Sequence, residues 1–181
     1  DDMGTIHSIP TSYANMLESE GIKCVRYNKI NPFLGAVMNH RDHRKIMVID
    51  GTVAFSGGMN LADEYINQKM VFGHWKDNVI RVKGEAVWSY TVLFLTNWNA
   101  IRKTDDDYTV FKVDSVTQHT DGYISPYGET PFDGENTGQN IYMNILNRAN
   151  EYVYICTPYL IIDTELETWC RCTYYYARDS R

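Results

Sequence analysis

Long hydrophobic runs are missing from this sequence; its densest apolar stretches are Ile46 to Ile49, Val92 to Leu95 and Tyr159 to Ile162. A membrane-spanning helix needs about 20 consecutive apolar residues, so none is expected within these residues. Positive charge is also short: 17 Lys and Arg face 23 Asp and Glu, a net charge of −6. That balance argues against a chain that coats nucleic acid through its whole surface. Cysteine is scarce. Cys24 and Cys156 sit in strand-like runs and read as buried thiols, while Cys170 and Cys172 make a lone C-x-C without the second pair a zinc site requires. The opening Asp1-Asp2-Met3-Gly4 has neither a basic nor an apolar leader segment, so it reads as no signal peptide and as a chain cut from within a longer protein.

What is present is a folding composition. Of 181 residues 44% are hydrophobic, and 14 Tyr and 4 Trp supply aromatic anchors, which suits one soluble domain or one domain with part of a second. Residues 12–20 read as a short helix stopped by Gly21, and Ile22 to Tyr27 as a strand. Residues 28–42 lose periodicity around Asn31-Pro32 and Gly35. Lys45 to Asp50 and Val53 to Phe55 form a hairpin about Asp50-Gly51, a dipeptide suited to tight turns. A short helix is expected from about Asn60 to Tyr65, a loop over 68–75 and a strand over Asp77 to Lys83.

The clearest helix spans Glu85 to Arg102, with Val87, Tyr90 or Thr91, Phe94, Leu95, Trp98 and Ile101 on its apolar face. A charged connector, an irregular Gly- and Pro-bearing crossing over 119–138, a helix at Asn140 to Asn150 and a strand at Tyr152 to Cys156 follow. Glu167 to Arg181 offers no clean apolar face. The alternation of elements predicts an α/β fold, with one lobe over 1–115 and a linker plus the opening of another over 116–181.

The chemistry concentrates between Asn39 and Asn60. Alternation in a strand sends His43 and Lys45 the same way, and the hairpin returns Gly57-Gly58-Met59-Asn60 to the same end. An imidazole, an ammonium, a carboxamide and backbone N–H groups freed by two glycines together suit a phosphate. Taken singly, each has a plainer explanation: a capping His, an edge Lys, a Gly-Gly turn. Taken together at fixed spacing, they favour a site.

The composite His43-x-Lys45, Asp50 and Gly57-Gly58-x-Asn60 resembles the HxKxxxxD…G[SG]xN signature of the phospholipase D superfamily. The flanks are most similar to bacterial cardiolipin synthase, through Asn39-His40-Arg41, Leu61 to Tyr65, His74-Trp75-Lys76-Asp77, Gly84 to Val87, Trp98, Asn140 and Thr157-Pro158-Tyr159. The resemblance covers roughly residues 1 to 167 and fades in the tail. It implies a phospholipase D-like lobe, a mixed β-sheet flanked by helices, plus the start of a second similar lobe. It further implies transfer of a phosphatidyl group between phosphatidylglycerol molecules through a phosphohistidine, with no metal and no cofactor.

On this reading His43 is the nucleophile, since an imidazole attacks phosphorus at neutral pH without a metal. Lys45 neutralises phosphate oxygens and Asn60 donates a hydrogen bond to them. Asp77 resembles the acid that fixes the histidine tautomer in relatives, although a surface carboxylate at a strand start is nearly as good an account. Asp50, Gly57 and Gly58 are motif residues of structural role; many relatives carry Ser where Gly58 stands. Trp75, Phe72 and Tyr159 suit either a lipid entrance or the core. His40 and His43 form an H-x-x-H pair without further ligands.

Only one complete motif is found. His7, His40 and His119 lack the Lys two positions on, and His74-x-Lys76 meets Arg81 where the motif needs Asp. The second half of the site is therefore expected from a second lobe or a homodimer mate. The expected partners are an anionic phospholipid (phosphatidylglycerol) and no nucleic acid, at a bacterial cell membrane. Alternatives are a superfamily phosphodiesterase or nuclease, and a catalytically inactive fragment.

Overall fold

The computed structural model describes residues 8–27, 29, 42–71, 73–114, 121–129, 134–157 and 163–168. The expected loop around Asn31-Pro32, together with His7, His40, Phe72, His119, Tyr159, Cys170, Cys172 and the tail after 168, lies outside them. The chain divides into two compact units, Asp1–Gly128 and Glu129–Arg181.

In the first unit, helix α1 (Tyr13–Ser19) ends at Gly21, whose φ of 81° lets the chain turn back as expected. Strands β1 (Ile46–Ile49), β2 (Val53–Gly57) and β3 (Val79–Lys83) form an antiparallel sheet in the order β1-β2-β3. The α/β class holds, but the sheet among the described residues is antiparallel throughout rather than mixed. The β1–β2 turn places Asp50 and Gly51 at φ 51° and 63°, and the Thr52 amide closes it onto the Ile49 carbonyl at 3.0 Å. A side chain at Gly51 would be strained by that φ and would press on Val113.

Helix α2 (Ala86–Arg102) packs on one face of this sheet. Val48, Ala54 and Val82 stand side by side in the ladder, and Ala54 and Val82 join Val87 and Tyr90 of α2 in the core. Full burial of a side chain the size of Val82 or Val87 stabilises by roughly 1.5–3 kcal/mol. The buried face of α2 is Val87, Tyr90, Thr91, Leu95 and Asn99, so it differs from the expected stripe: Phe94 is 49% exposed. Asn99 replaces an apolar residue because its amide organises the helix end. Its Nδ2 donates to the Asp106 carbonyl, and its Oδ1 accepts from the Thr104 hydroxyl. Asp107 then caps a 3₁₀ turn at Tyr108–Phe111 by accepting from the Thr109 amide at 2.8 Å.

Three local expectations fail. Ile22 to Tyr27 is not a strand, because side chains occupy its backbone: the Cys24 amide donates to Glu18 and Arg102 donates to the Cys24 carbonyl. Asn60 to Tyr65 forms turns rather than a helix, held by the Tyr65 amide on Ala62 and by the Gln68 and Lys69 amides on Asp63. Tyr152 to Cys156 carries no strand pairing among the described residues. The thiols differ too: Cys24 is half-buried and Cys156 exposed.

In the second unit, helix α3 (Thr137–Arg148) starts three residues before the expected Asn140. Glu129 explains the early start, since its carboxylate accepts from the Gly138 amide at 3.0 Å and caps the helix with a negative charge. Gln139 of α3 donates to Glu165 on a helical turn at 164–168. No described helix is long and apolar enough to cross a membrane.

Candidate active site

The start of β1 is held to α2 by residues that the motif leaves blank. Asp42 and Arg44 pair bidentately, with Arg44 Nε 2.8 Å from Oδ1 and Nη2 2.9 Å from Oδ2. Asn97 of α2 donates to the same carboxylate at 2.6 Å. Burial opposes ionisation of Asp42, but the Arg44 and Asn97 hydrogen bonds outweigh it and hold the carboxyl below its usual value. Asp42 in turn raises the Arg44 guanidinium above its ordinary value. Alternation continues into β1: Ile46 and Val48 pack on the core, while Met47 and Ile49 are 46% and 44% exposed.

His43 and Lys45 have the other parity. His43 is exposed, and half-buried Lys45 folds its ammonium back onto the His43 carbonyl at 2.6 Å. Partial burial pushes the Lys45 ammonium below the usual lysine value, against the pull of Asp42 and Asp77. Lys45 thus stands in the field of Asp77, which comes from the segment leading into β3.

The two glycines let those segments approach. Gly57 pairs with Val79, and the Gly58 amide donates to the Asn78 carbonyl at 3.2 Å. A Cβ at residue 57 would collide with the Asn78 carbonyl, and one at residue 58 would stand 2.5 Å from Oδ1 of Asp77. The Gly-Gly pair is a packing requirement; the Gly58 N–H expected to be free for a phosphate is instead taken by the Asn78 carbonyl.

Asp77 is fixed on both oxygens. Oδ1 accepts from the Asn78 amide at 2.8 Å, and Oδ2 from the Trp75 indole at 3.1 Å. Trp75 is itself seated twice over. Asn67, at φ 60°, clamps its backbone with Nδ2 on the Trp75 carbonyl (2.8 Å) and Oδ1 on the Trp75 amide (2.6 Å). Tyr65 meets the Trp75 ring edge-on, with centroids 5.0 Å apart. Trp75 is half-buried in this cluster.

Lys45, Gly57, Gly58 and Asp77 therefore meet at one end of the sheet. Asn60 is half-buried two residues beyond Gly58, and His43 precedes Lys45 on the same parity. Asp50 lies at the opposite end of β1, exposed in the turn. Local spacing did not disclose the Asp42–Arg44–Asn97 group or the Asn67 clamp. Asp42 and Arg44 alternate with His43 and Lys45, but Asn97 arrives from another element.

No family model and no solved structure matches the chain significantly. Among curated proteins, one of uncharacterised function from Streptococcus mutans is 46% identical over 92% of this chain and 36% of its own length. A cardiolipin synthase of Oceanobacillus iheyensis is 34% identical over 92% of this chain and 34% of its own. Cardiolipin synthase 2 of Staphylococcus epidermidis is 36% identical over 73% of the chain and 27% of its own. The chain spans about a third of the length of the curated relatives it matches. Over most of its length, this chain is a relative of the bacterial cardiolipin synthases.

Proposed function

We propose that the chain carries one half of the active site of a phosphatidyltransferase of cardiolipin synthase type. The observation that carries the reading is the meeting of Lys45, Gly57, Gly58 and Asp77 at one sheet end, in a chain related to cardiolipin synthases. A ring nitrogen of His43 attacks the phosphorus of phosphatidylglycerol, and the bond from phosphorus to the glycerol headgroup breaks. Glycerol leaves with a proton from an acid on the opposite side, and a phosphohistidine remains. The hydroxyl of a second phosphatidylglycerol gives its proton to that same group and attacks phosphorus, releasing cardiolipin and free His43.

Lys45 neutralises the phosphate oxygens as charge shifts, helped by Asn60, and Asp77 orients the His43 ring. Residues 1–115 form the first phospholipase D-like lobe, and 116–181 the linker and opening of a second. The opposing acid is the histidine of a second motif, in that further lobe or in a second copy of the chain. The substrate places the work at a bacterial cell membrane.

The test is phosphatidyl transfer on phosphatidylglycerol vesicles with the complete protein and its His43→Asn variant, alongside a single-stranded DNA cleavage assay. Transfer lost by more than the ~10²–10⁴ of an acid–base group alone supports the nucleophile. Near-normal transfer by His43→Asn, or DNA cleavage in place of transfer, refutes the reading.

A further inference from the structure

We infer that Trp75 is a positioning residue of this site, its indole N–H holding the Asp77 carboxylate over Gly58 and beside Lys45. The inference rests on the proposed reading for the role of Asp77, and on geometry for everything else. A carboxylate at the head of a strand ordinarily samples several rotamers, each presenting different oxygens. Here Oδ1 takes the amide of the next residue, an interaction that leaves the other oxygen to be set by a second donor. Trp75 supplies that donor at 3.1 Å, from a side chain two residues back.

A donor positions its acceptor only if the donor is itself fixed. Trp75 is fixed at backbone and ring: the Asn67 amide makes both hydrogen bonds to its peptide groups across eight residues, and Tyr65 packs on its ring at 85°. Asn67 reaches this position in the left-handed region, which asparagine tolerates better than most residues. The turns of 60–69 thus act as a frame around one indole, and the indole as a bracket for one carboxylate. Indole is a donor without acceptor capacity, so it can meet Asp77 only at a carboxylate lone pair.

The test has two arms. In the ¹⁵N-labelled chain, the Trp75 indole resonance is assigned by its loss in Trp75→Phe. Asp77→Ala, made with Trp75 in place, removes the acceptor and is expected to shift that resonance upfield and speed its exchange. An unmoved resonance overturns the inference, whatever the activity of the protein. In the complete protein, Trp75→Phe keeps the ring against Tyr65 and removes the N–H. It should lower kcat for phosphatidyl transfer by about 10–100-fold, as loss of an orienting partner does, with the melting midpoint retained. KM should stay within about twofold. Added to Asp77→Asn, it should cost nothing further, because both act through one carboxylate. An undiminished kcat, or losses that multiply, also overturns it. Normal transfer by His43→Asn would instead sink the proposed chemistry, leaving the resonance to decide Trp75.

Discussion

Oδ1 of Asp77 lies 2.5 Å from the point where residue 58 would carry a Cβ, so the carboxylate fills the space that Gly58 leaves. Glycine at 58 and aspartate at 77 are one design seen from two segments. That carboxylate comes from the segment leading into β3, two residues before the strand begins.

Gly58→Ala should therefore displace Asp77 and break its bonds to Trp75 and Asn78. Overpacking of this kind costs about 1–3 kcal/mol. Urea unfolding should show that loss, and Gly58→Ala combined with Asp77→Ala should recover part of it. A single variant as stable as the parent would show that Asp77 moves aside freely.

Asp42 makes stability depend on acid. Its folded carboxyl ionises below the ordinary value of 3.8, so the fold favours the charged form. That contribution is fully present above the unfolded value and is lost as pH falls through the folded one. Melting midpoints between neutral pH and strong acid should show the chain more stable than Asp42→Asn at neutrality, with the gap closing below about 3.8. A gap independent of pH would mean that the Arg44 and Asn97 contacts do not depend on the charge.

The hairpin was legible because its signals are local: Asp50-Gly51 lie between two apolar runs and need only their own φ values. The spacing of Lys45, Gly57 and Gly58 was legible for the same reason, since one hairpin register brings them to one end. Ile22 to Tyr27 misled because a strand depends on a ladder partner, and here Glu18 and Arg102 claim the backbone groups that a partner would take. The helix face was misjudged at Asn99, an amide that periodicity alone scores as exposed but that the connector at Thr104 and Asp106 requires. Asn97 reaching Asp42 across 55 residues leaves no trace in local spacing.

Arg102 gives the segment after α1 its place. It pairs with Glu18, donates to the Cys24 carbonyl at 3.4 Å and stacks its guanidinium 5.0 Å from the Trp98 ring centre. Exposed pairs of this kind add little global stability, so Arg102→Ala should change the melting midpoint slightly while loosening residues 22–27. Alkylation of Cys24, followed by peptide mass spectrometry with exposed Cys156 as the internal reference, should accelerate severalfold. Unchanged labelling would place the restraint elsewhere.

Lys45 should show stability and function pulling in opposite directions. Its ammonium is held below the ordinary lysine value because burial outweighs the attraction of Asp42 and Asp77. A base whose folded value is depressed binds its proton less well in the fold than in the unfolded chain. The charged form therefore costs stability at neutral pH, and that cost fades as pH rises toward 10.5. Lys45→Met keeps most of the stem and removes the charge, so it should unfold at equal or higher urea than the parent near pH 7. The same change removes the cation proposed to meet the phosphate oxygens, and transfer should fall by about 10²–10³, the scale of a lost transition-state donor. Lys45→Arg keeps a cation but spreads it over a planar fork, and should recover only part of the rate. A Met variant both destabilised and active would reverse both signs, making Lys45 a structural cation whose pairing with Asp77 outweighs its burial.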